Sequence, residues 1–393
     1  MAKLTEKHLQ YALYALIGVG VLFVLYAVFS MNALPNLFSG ATPSPSATVF
    51  PSVAAKAKIE VTLIDYPGCR PCVDLRSFIQ RIANASDVTV VKSETIAFQN
   101  ASALIAKYGI KKVPTVIISG ETSKVAQLKS QWPQVGEVKP DGTLVLTKLV
   151  PVYYDIEKQK FVGLLKAARI LNSSCTECTK VADFQLNLEK SMALKFSQEE
   201  ELEFNSTRGK ELVNQYNLTK LPSLVITGET AEYSALKEQW PNVGSVENDG
   251  ALVWRLIAPP YQELPSGKIR GIASLIALQD EKCKECYDVG LHERILGTYG
   301  VVVGNLTYLN YSVPWQQKLI DKYNITFVPT VLINEEMEEY YPFTPLKQIW
   351  EQVGSVEKDG WHVFRNITAL GGNLTFKNLS SGKVETTPLS QEG

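Results

Sequence analysis

Histidine is nearly missing from this chain: His8, His292 and His362 are the only three in 393 residues. They stand far apart, so mixed Cys/His zinc sites, histidine-based nucleophile triads and two-histidine iron centres all lack their parts. A surplus of positive charge is missing too. With 39 Lys plus Arg against 40 Asp plus Glu the net charge is −1, which leaves no basic face for a phosphate backbone, and nucleic acid is not expected as a partner. No glycine-rich phosphate loop or dinucleotide fingerprint occurs, so no organic cofactor is expected. Whatever chemistry the chain performs falls to six cysteines.

Charge is also absent locally. Residues 9–31, "LQYALYALIGVGVLFVLYAVFSM", carry none over 23 positions, enough for about 34 Å of helix against a hydrocarbon core of about 30 Å. The apolar core of a cleaved signal peptide is only about 7–15 residues, so this run is read as an uncleaved anchor. Lys3 and Lys7 precede it and the next charge after it is Lys56. The positive-inside rule then leaves residues 1–8 cytoplasmic and the bulk of the chain outside the cell membrane. Residues 32–55, uncharged and rich in Pro, Ser, Thr and Ala, suit a semi-extended tether. Eleven of the 18 asparagines open an Asn-x-Ser/Thr sequon, among them Asn84, Asn205, Asn217, Asn305, Asn324, Asn366 and Asn373. That enrichment fits an extracytoplasmic glycoprotein.

The cysteines form three pairs, "CRPC" at 69, "CTEC" at 175 and "CKEC" at 283, separated by 106 and 108 residues. Two further landmarks keep the same period. Pro114, Pro222 and Pro329 lie in "KYGIKKVPTVIISG", "QYNLTKLPSLVITG" and "KYNITFVPTVLIN", and Trp132, Trp240 and Trp350 open "WPQVGEVKPDG", "WPNVGSVENDG" and "WEQVGSVEKDG". Three landmarks sharing one period mean three copies of one domain, each long enough to bury its own core. The divisions expected are 56–157, 158–265 and 266–385, with 386–393 as a frayed tail. The tryptophans are read as core residues.

Within the first copy, Ile59, Val61 and Leu63 alternate as in a strand, and Leu75, Phe78, Ile79 and Ile82 then recur at helical spacing. Cys69 is therefore expected at the amino end of a helix. After "DVTVV" come another helix ending near Tyr108, a strand opening at Pro114, the Trp-bearing segment, and the Asp141-Gly142 hairpin signal before "TLVLT". The order β-α-β-α-β-β implies an α/β fold. The acidic run "FSQEEELEF" at 196–204 is read as a solvated helix face. For the cysteine pairs three readings stand: a shared zinc site, a structural staple and a redox centre. A zinc site would need two distant pairs although each sits in its own complete repeat. A four-residue ring gains only about 2 kcal/mol from loop entropy against about 3 for 15 residues, which favours redox lability over stapling.

A CxxC at a strand-to-helix junction, followed 42 to 44 residues later by those proline segments, resembles the thioredoxin superfamily, and three tandem copies are similar in plan to protein disulfide isomerases. The resemblance spans nearly all of residues 56–385. It implies three domains with a central mixed sheet flanked by helices, and cis Pro114, Pro222 and Pro329 facing the CxxC pairs. The backbones of Val113, Leu221 and Val328 would then pair with a substrate chain. It further implies Cys69, Cys175 and Cys283 as nucleophiles, Cys72, Cys178 and Cys286 as resolving thiols, and Asp65 as a candidate proton relay, a position held by Leu171 and Gln279 in the other copies. No tryptophan precedes any first cysteine, and Tyr66 is the nearest aromatic in the first copy.

A thiolate at a helix amino terminus is stabilised by unpaired N–H groups. Arg70 and Lys284 favour thiolate and Glu177 and Glu285 oppose it, so the first copy is expected to hold the most acidic thiol. The function expected is a membrane-anchored thiol–disulfide oxidoreductase acting on protein disulfides outside the cytoplasm, exchanging electrons with a separate membrane or extracytoplasmic thiol-exchange partner and needing no metal. The alternative is a non-enzymatic cell-surface protein that binds peptides while its CxxC pairs stay oxidised.

Overall fold

The computed structural model describes residues 55–388. The expected anchor at 9–31, all but the last residue of the tether and the end of the tail lie outside that range. Among the described residues no helix is long and apolar enough to cross a membrane.

Three units of one topology follow each other. In the first, β1 (Ala57–Asp65), α1 (Arg76–Ala83), β2 (Val88–Ala97), α2 (Ser102–Tyr108), β3 (Lys112–Val113), β4 (Thr115–Gly120), α3 (Ala126–Val135), β5 (Gly136–Val138) and β6 (Leu144–Leu146) occur in order. The five-stranded sheet reads β2-β1-β4-β6-β5. β1 and β2 are parallel and the other neighbours antiparallel. The second and third units repeat this sheet strand for strand. The Trp-bearing segment of the first and third units lies in a third helix, and in the second unit Trp240 directly follows one.

Alternation decides which residues face which layer. Ile59, Val61 and Leu63 of β1 join Phe78 and Ile82 of α1 and Leu128 and Trp132 of α3 in one core, while Ile64 points to the opposite face with Tyr108, Ile110 and Val145. Trp132, Trp240 and Trp350 are all buried, and Trp132 Nε1 donates to the carbonyl of Val145. The residue opening the strand after each tryptophan must be glycine: a Cβ on Gly136 or Gly244 would stand about 2 Å from the carbonyl oxygen of Val145 or Val253.

The helix before each proline segment ends on a left-handed residue, Gly109, Asn217 and Asn324, with φ of 64°, 49° and 47°. Asparagine tolerates that conformation where most residues do not. Two of the aligned sequons therefore have a backbone reason to be asparagine. None of the eleven sequon asparagines is buried.

Each unit closes with a hairpin beyond its main sheet. β7 (Tyr153–Asp155) and β8 (Lys160–Val162) form a three-stranded sheet with β3. Tyr261–Glu263 with Ile269–Arg270, and Thr375–Asn378 with Val384–Thr386, do the same in the other units. The divisions expected at 157/158 and 265/266 therefore cut through hairpins that belong to the preceding unit. The tail expected from 386 is also corrected. Thr386 lies in a strand, and Thr387 is buried and bonded to Leu374 and Gly372.

The acidic run proves to be an edge strand, Phe196–Glu203, paired only with Leu165–Leu171. An edge strand needs apolar residues on one side at most, and charge on it discourages pairing with other chains. Arg169, in that neighbouring strand, binds Glu199 and Glu201 across the ladder.

Candidate active site

The six cysteines pair within their motifs, Cys69–Cys72, Cys175–Cys178 and Cys283–Cys286, with Cα atoms 5.5, 5.4 and 5.4 Å apart. All six are half-buried, so none is sealed in apolar packing. Each first cysteine closes a tight turn on the end of the central strand. Cys69 N donates to Tyr66 O at 3.2 Å, Cys175 N to Asn172 O at 3.0 Å and Cys283 N to Asp280 O at 3.0 Å.

The helices begin later than expected, at Arg76, Val181 and Leu291. The cysteine pairs occupy a turn ahead of the helix instead of its first turn, so the partial positive charge of the helix terminus, which fades within one turn, reaches the sulfurs weakly. The cause is visible in the residue after each second cysteine. Val73 N donates to Val152 O at 3.1 Å, Thr179 N to Pro260 O at 2.8 Å and Tyr287 N to Thr375 O at 2.9 Å. Each acceptor sits at the start of the closing hairpin, so the backbone is drawn out toward that hairpin before it can coil.

The bonds Val113–Pro114, Leu221–Pro222 and Val328–Pro329 are all cis. Pro114 shares a cavity of about 310 Å3 with Cys69, Cys72, Asp65 and Arg76, and Pro222 shares one of about 250 Å3 with Cys175 and Cys178. In the third unit Tyr287, next to Cys286, donates its hydroxyl to the carbonyl of Pro329 at 2.7 Å. Asp65 is half-buried at the end of β1, accepts from Tyr66 N and lies 3.8 Å from the exposed Arg76 guanidinium. Arg70, Glu177, Lys284 and Glu285 point to solvent.

Of the residues before the prolines, Leu221 lines the cavity of its cystine, and the backbones of all three are already engaged. Val113 pairs with Tyr154, Leu221 with Gln262 and Val328 with Lys377. The flanking bonds Ile156 N to Lys111 O, Leu264 N to Thr219 O and Leu379 N to Thr326 O fix the alternation, and place all three of these residues in hydrogen-bonded pairs. The edge expected to receive a substrate strand thus carries a strand of the chain itself, referred to below as the strap.

Sequence reasoning missed the strap and also His292. That histidine is buried against Phe364, with ring centroids 4.5 Å apart, and its Nε2 lies 2.9 Å from the Tyr287 hydroxyl. Burial pushes its pKa down to about 4 and pushes the Tyr287 phenol far up. It stands where the other copies have Phe78 and Phe184, six residues after the second cysteine. Aligning the copies position by position would have exposed it.

Two features at one end of the sheet, a cystine in the turn after the central strand and a cis-proline loop before the strand beside it, complete the pattern laid out by the sheet order. The fold of each unit is thioredoxin-like. No protein-family model and no curated protein matches the chain. Among solved structures it is similar to the alkylhydroperoxide reductase AhpF of Enterococcus faecalis, with 16% identity, 44% of this chain and 84% of that one covered and a TM-score of 0.16. Human ERp44 matches with 10% identity, coverage of 76% and 87% and a TM-score of 0.15. A protein disulfide oxidoreductase from Aeropyrum pernix matches with 13% identity, coverage of 44% and 77% and a TM-score of 0.13. With scores of that size, the assignment rests on the topology and on the cystine–proline geometry of the chain itself.

Proposed function

We propose that this chain is a thiol–disulfide oxidoreductase acting on protein disulfides, held at the cell membrane by residues 9–31 with its three units outside the cytoplasm. The observation that carries the reading is a half-exposed CxxC cystine beside a cis-proline loop, repeated three times. A partner thiolate attacks one sulfur of a cystine; that S–S bond breaks, a mixed disulfide forms and the other cysteine leaves as thiolate. A second thiol of the partner then attacks the mixed disulfide, so the partner leaves as a disulfide and the CxxC as a dithiol. The reduced pair in turn attacks a protein disulfide with its first cysteine, one substrate sulfur leaves as thiolate, and the second cysteine closes the cystine and releases the substrate dithiol. Cys69, Cys175 and Cys283 would form the mixed disulfides and Cys72, Cys178 and Cys286 would resolve them. Electrons enter and leave through a separate thiol-exchange protein. Asp65, in the cavity with Cys69 and Cys72, would accept the proton of the resolving thiol.

Insulin reduction and refolding of scrambled ribonuclease, measured for the wild type and for Cys69→Ser, Cys175→Ser and Cys283→Ser, test this. Loss of turnover with at least one substitution is expected; unchanged rates in the triple variant would end the proposal. A second reading, a peptide-binding protein with permanently oxidised cystines, draws on a specific observation: the groove backbones are occupied by straps and the cysteines lie ahead of their helices. Cystines that resist equilibration with a glutathione buffer would select it.

A further inference from the structure

In every unit the residue three places before the first cysteine touches the strap residue that pairs with the residue before the cis-proline. The chemistry of that contact differs each time, and each time both partners change together. In the first unit it is aromatic: Tyr66 and Tyr154 have ring centroids 4.6 Å apart. In the second it is an amide pair, Asn172 Nδ2 donating to Gln262 Oε1 at 2.9 Å. In the third it is ionic, with Lys377 Nζ 2.9 Å from Asp280 Oδ2. The Asp280 side chain is only 3% exposed. Besides Lys377, it accepts from the backbone N–H of Lys282. Lys377 itself lies over the Tyr311 ring at 5.1 Å.

Alternate residues of the strap look the other way. Tyr153 and Tyr261 give their hydroxyls to Glu232 and Glu339 of the following unit. The corresponding Phe376 has no hydroxyl to give, and packs on Phe327 at 5.8 Å. The strap thus reads the cystine groove with one set of residues and its own anchorage with the other. A strand that takes its place must satisfy the same groove residue.

The geometry points to Asp280 as the specificity-determining residue of the third groove, which takes an extended protein segment carrying a lysine or arginine opposite Val328 in place of the strap. This deepens the oxidoreductase reading and rests on it for the statement that such segments belong to disulfide-bearing substrates. The physical reason is the carboxylate. A buried charge stripped of its counter-charge is strongly disfavoured, so an incoming strand with an acidic or apolar residue at that position cannot displace Lys377, whereas one with a basic residue exchanges like for like. Backbone pairing supplies affinity, and the alternate side chain supplies selection.

The probe is a fluorescent, cysteine-free peptide copying residues 373–380, together with the same peptide carrying glutamate in place of its lysine. Both are titrated into the full chain with its cystines oxidised. Lys377→Ala, which frees Asp280, is expected to bind the lysine peptide at least about tenfold tighter than the glutamate peptide. Adding Asp280→Asn should abolish that preference. Equal binding of the two peptides to Lys377→Ala, or binding of neither, overturns the assignment. Should Lys377→Ala not fold, amide hydrogen exchange on the wild type replaces it: excess lysine peptide must speed exchange at residues 375–378 and the glutamate peptide must not, and any other pattern overturns it. Selective binding without insulin reduction removes the oxidoreductase reading alone; insulin reduction with unselective binding removes this inference alone.

Discussion

Replacing Tyr154 by alanine should loosen the first strap without touching a cysteine. The Tyr154 ring packs against Tyr66, Phe98 and Phe161 with centroids 4.6, 5.4 and 5.4 Å apart. Phe161 belongs to the same hairpin, so the contacts to Tyr66 and Phe98 are the two that hold the strap down. At about 0.5–1.5 kcal/mol each beyond area burial, losing them lowers the free energy of strap opening by roughly 1–3 kcal/mol. The ladder between Val113 and residue 154 survives the substitution, because it is made by backbone. The assay is amide hydrogen exchange at Val113, in conditions where the strap recloses faster than amides exchange. At about 1.4 kcal/mol per decade, exchange should accelerate on the order of 5- to 150-fold. Exchange at Leu221 and Val328, whose straps are fixed by an amide pair and an ion pair, should stay as in the wild type. Acceleration of less than about threefold at Val113, or equal acceleration in all three units, would refute the argument that the aromatic contact holds this strap.

Two further outcomes follow from the core. His292, whose pKa burial pushes down to about 4, stays neutral in the folded third unit while an unfolded histidine gains its proton near pH 6.5, so stability is lost as pH falls from about 6.5 toward 4. At pH 5 that loss is on the order of 2 kcal/mol, and His292→Phe, the residue type at this position in the other units, should flatten it in denaturant titrations across that range. Gly244→Ala puts a methyl carbon 2.0 Å from Val253 O and 2.8 Å from Trp240 Nε1. It should destabilise the second unit by about 1–3 kcal/mol in the same assay, while Gly267→Ala, in open space at φ 70°, should cost less.

Much of this architecture is legible in the sequence because its signals are local or periodic. The triple register of cysteines, prolines and tryptophans fixes the repeat, and the alternation of Ile59, Val61 and Leu63 fixes the central strand. What escapes is set by partners distant in sequence. Nothing in "VPVYYD" says that Tyr154 will pair with Val113; that ladder is made of backbone atoms, which every residue carries. The late start of each helix has the same origin, since the N–H of Val73, Thr179 or Tyr287 is drawn to the strap. Glu199, Glu200 and Glu201 read as a solvated helix on charge alone, which carries no mark of position in the repeat. The aligned strands Val88–Ala97 and Val302–Asn310 show that the slot is extended in every copy. Asp280 does not align with Asp65, because it stands three residues before its first cysteine and Asp65 stands four.

The central claim is that these cystines exchange with partner thiols at the potentials of working oxidoreductases. Equilibrating the chain with graded dithiol buffers and trapping each CxxC pair for mass analysis reads it directly. The account predicts at least one pair with a reduction potential between about −120 and −270 mV; all three below about −300 mV, the range of inert structural disulfides, would contradict it.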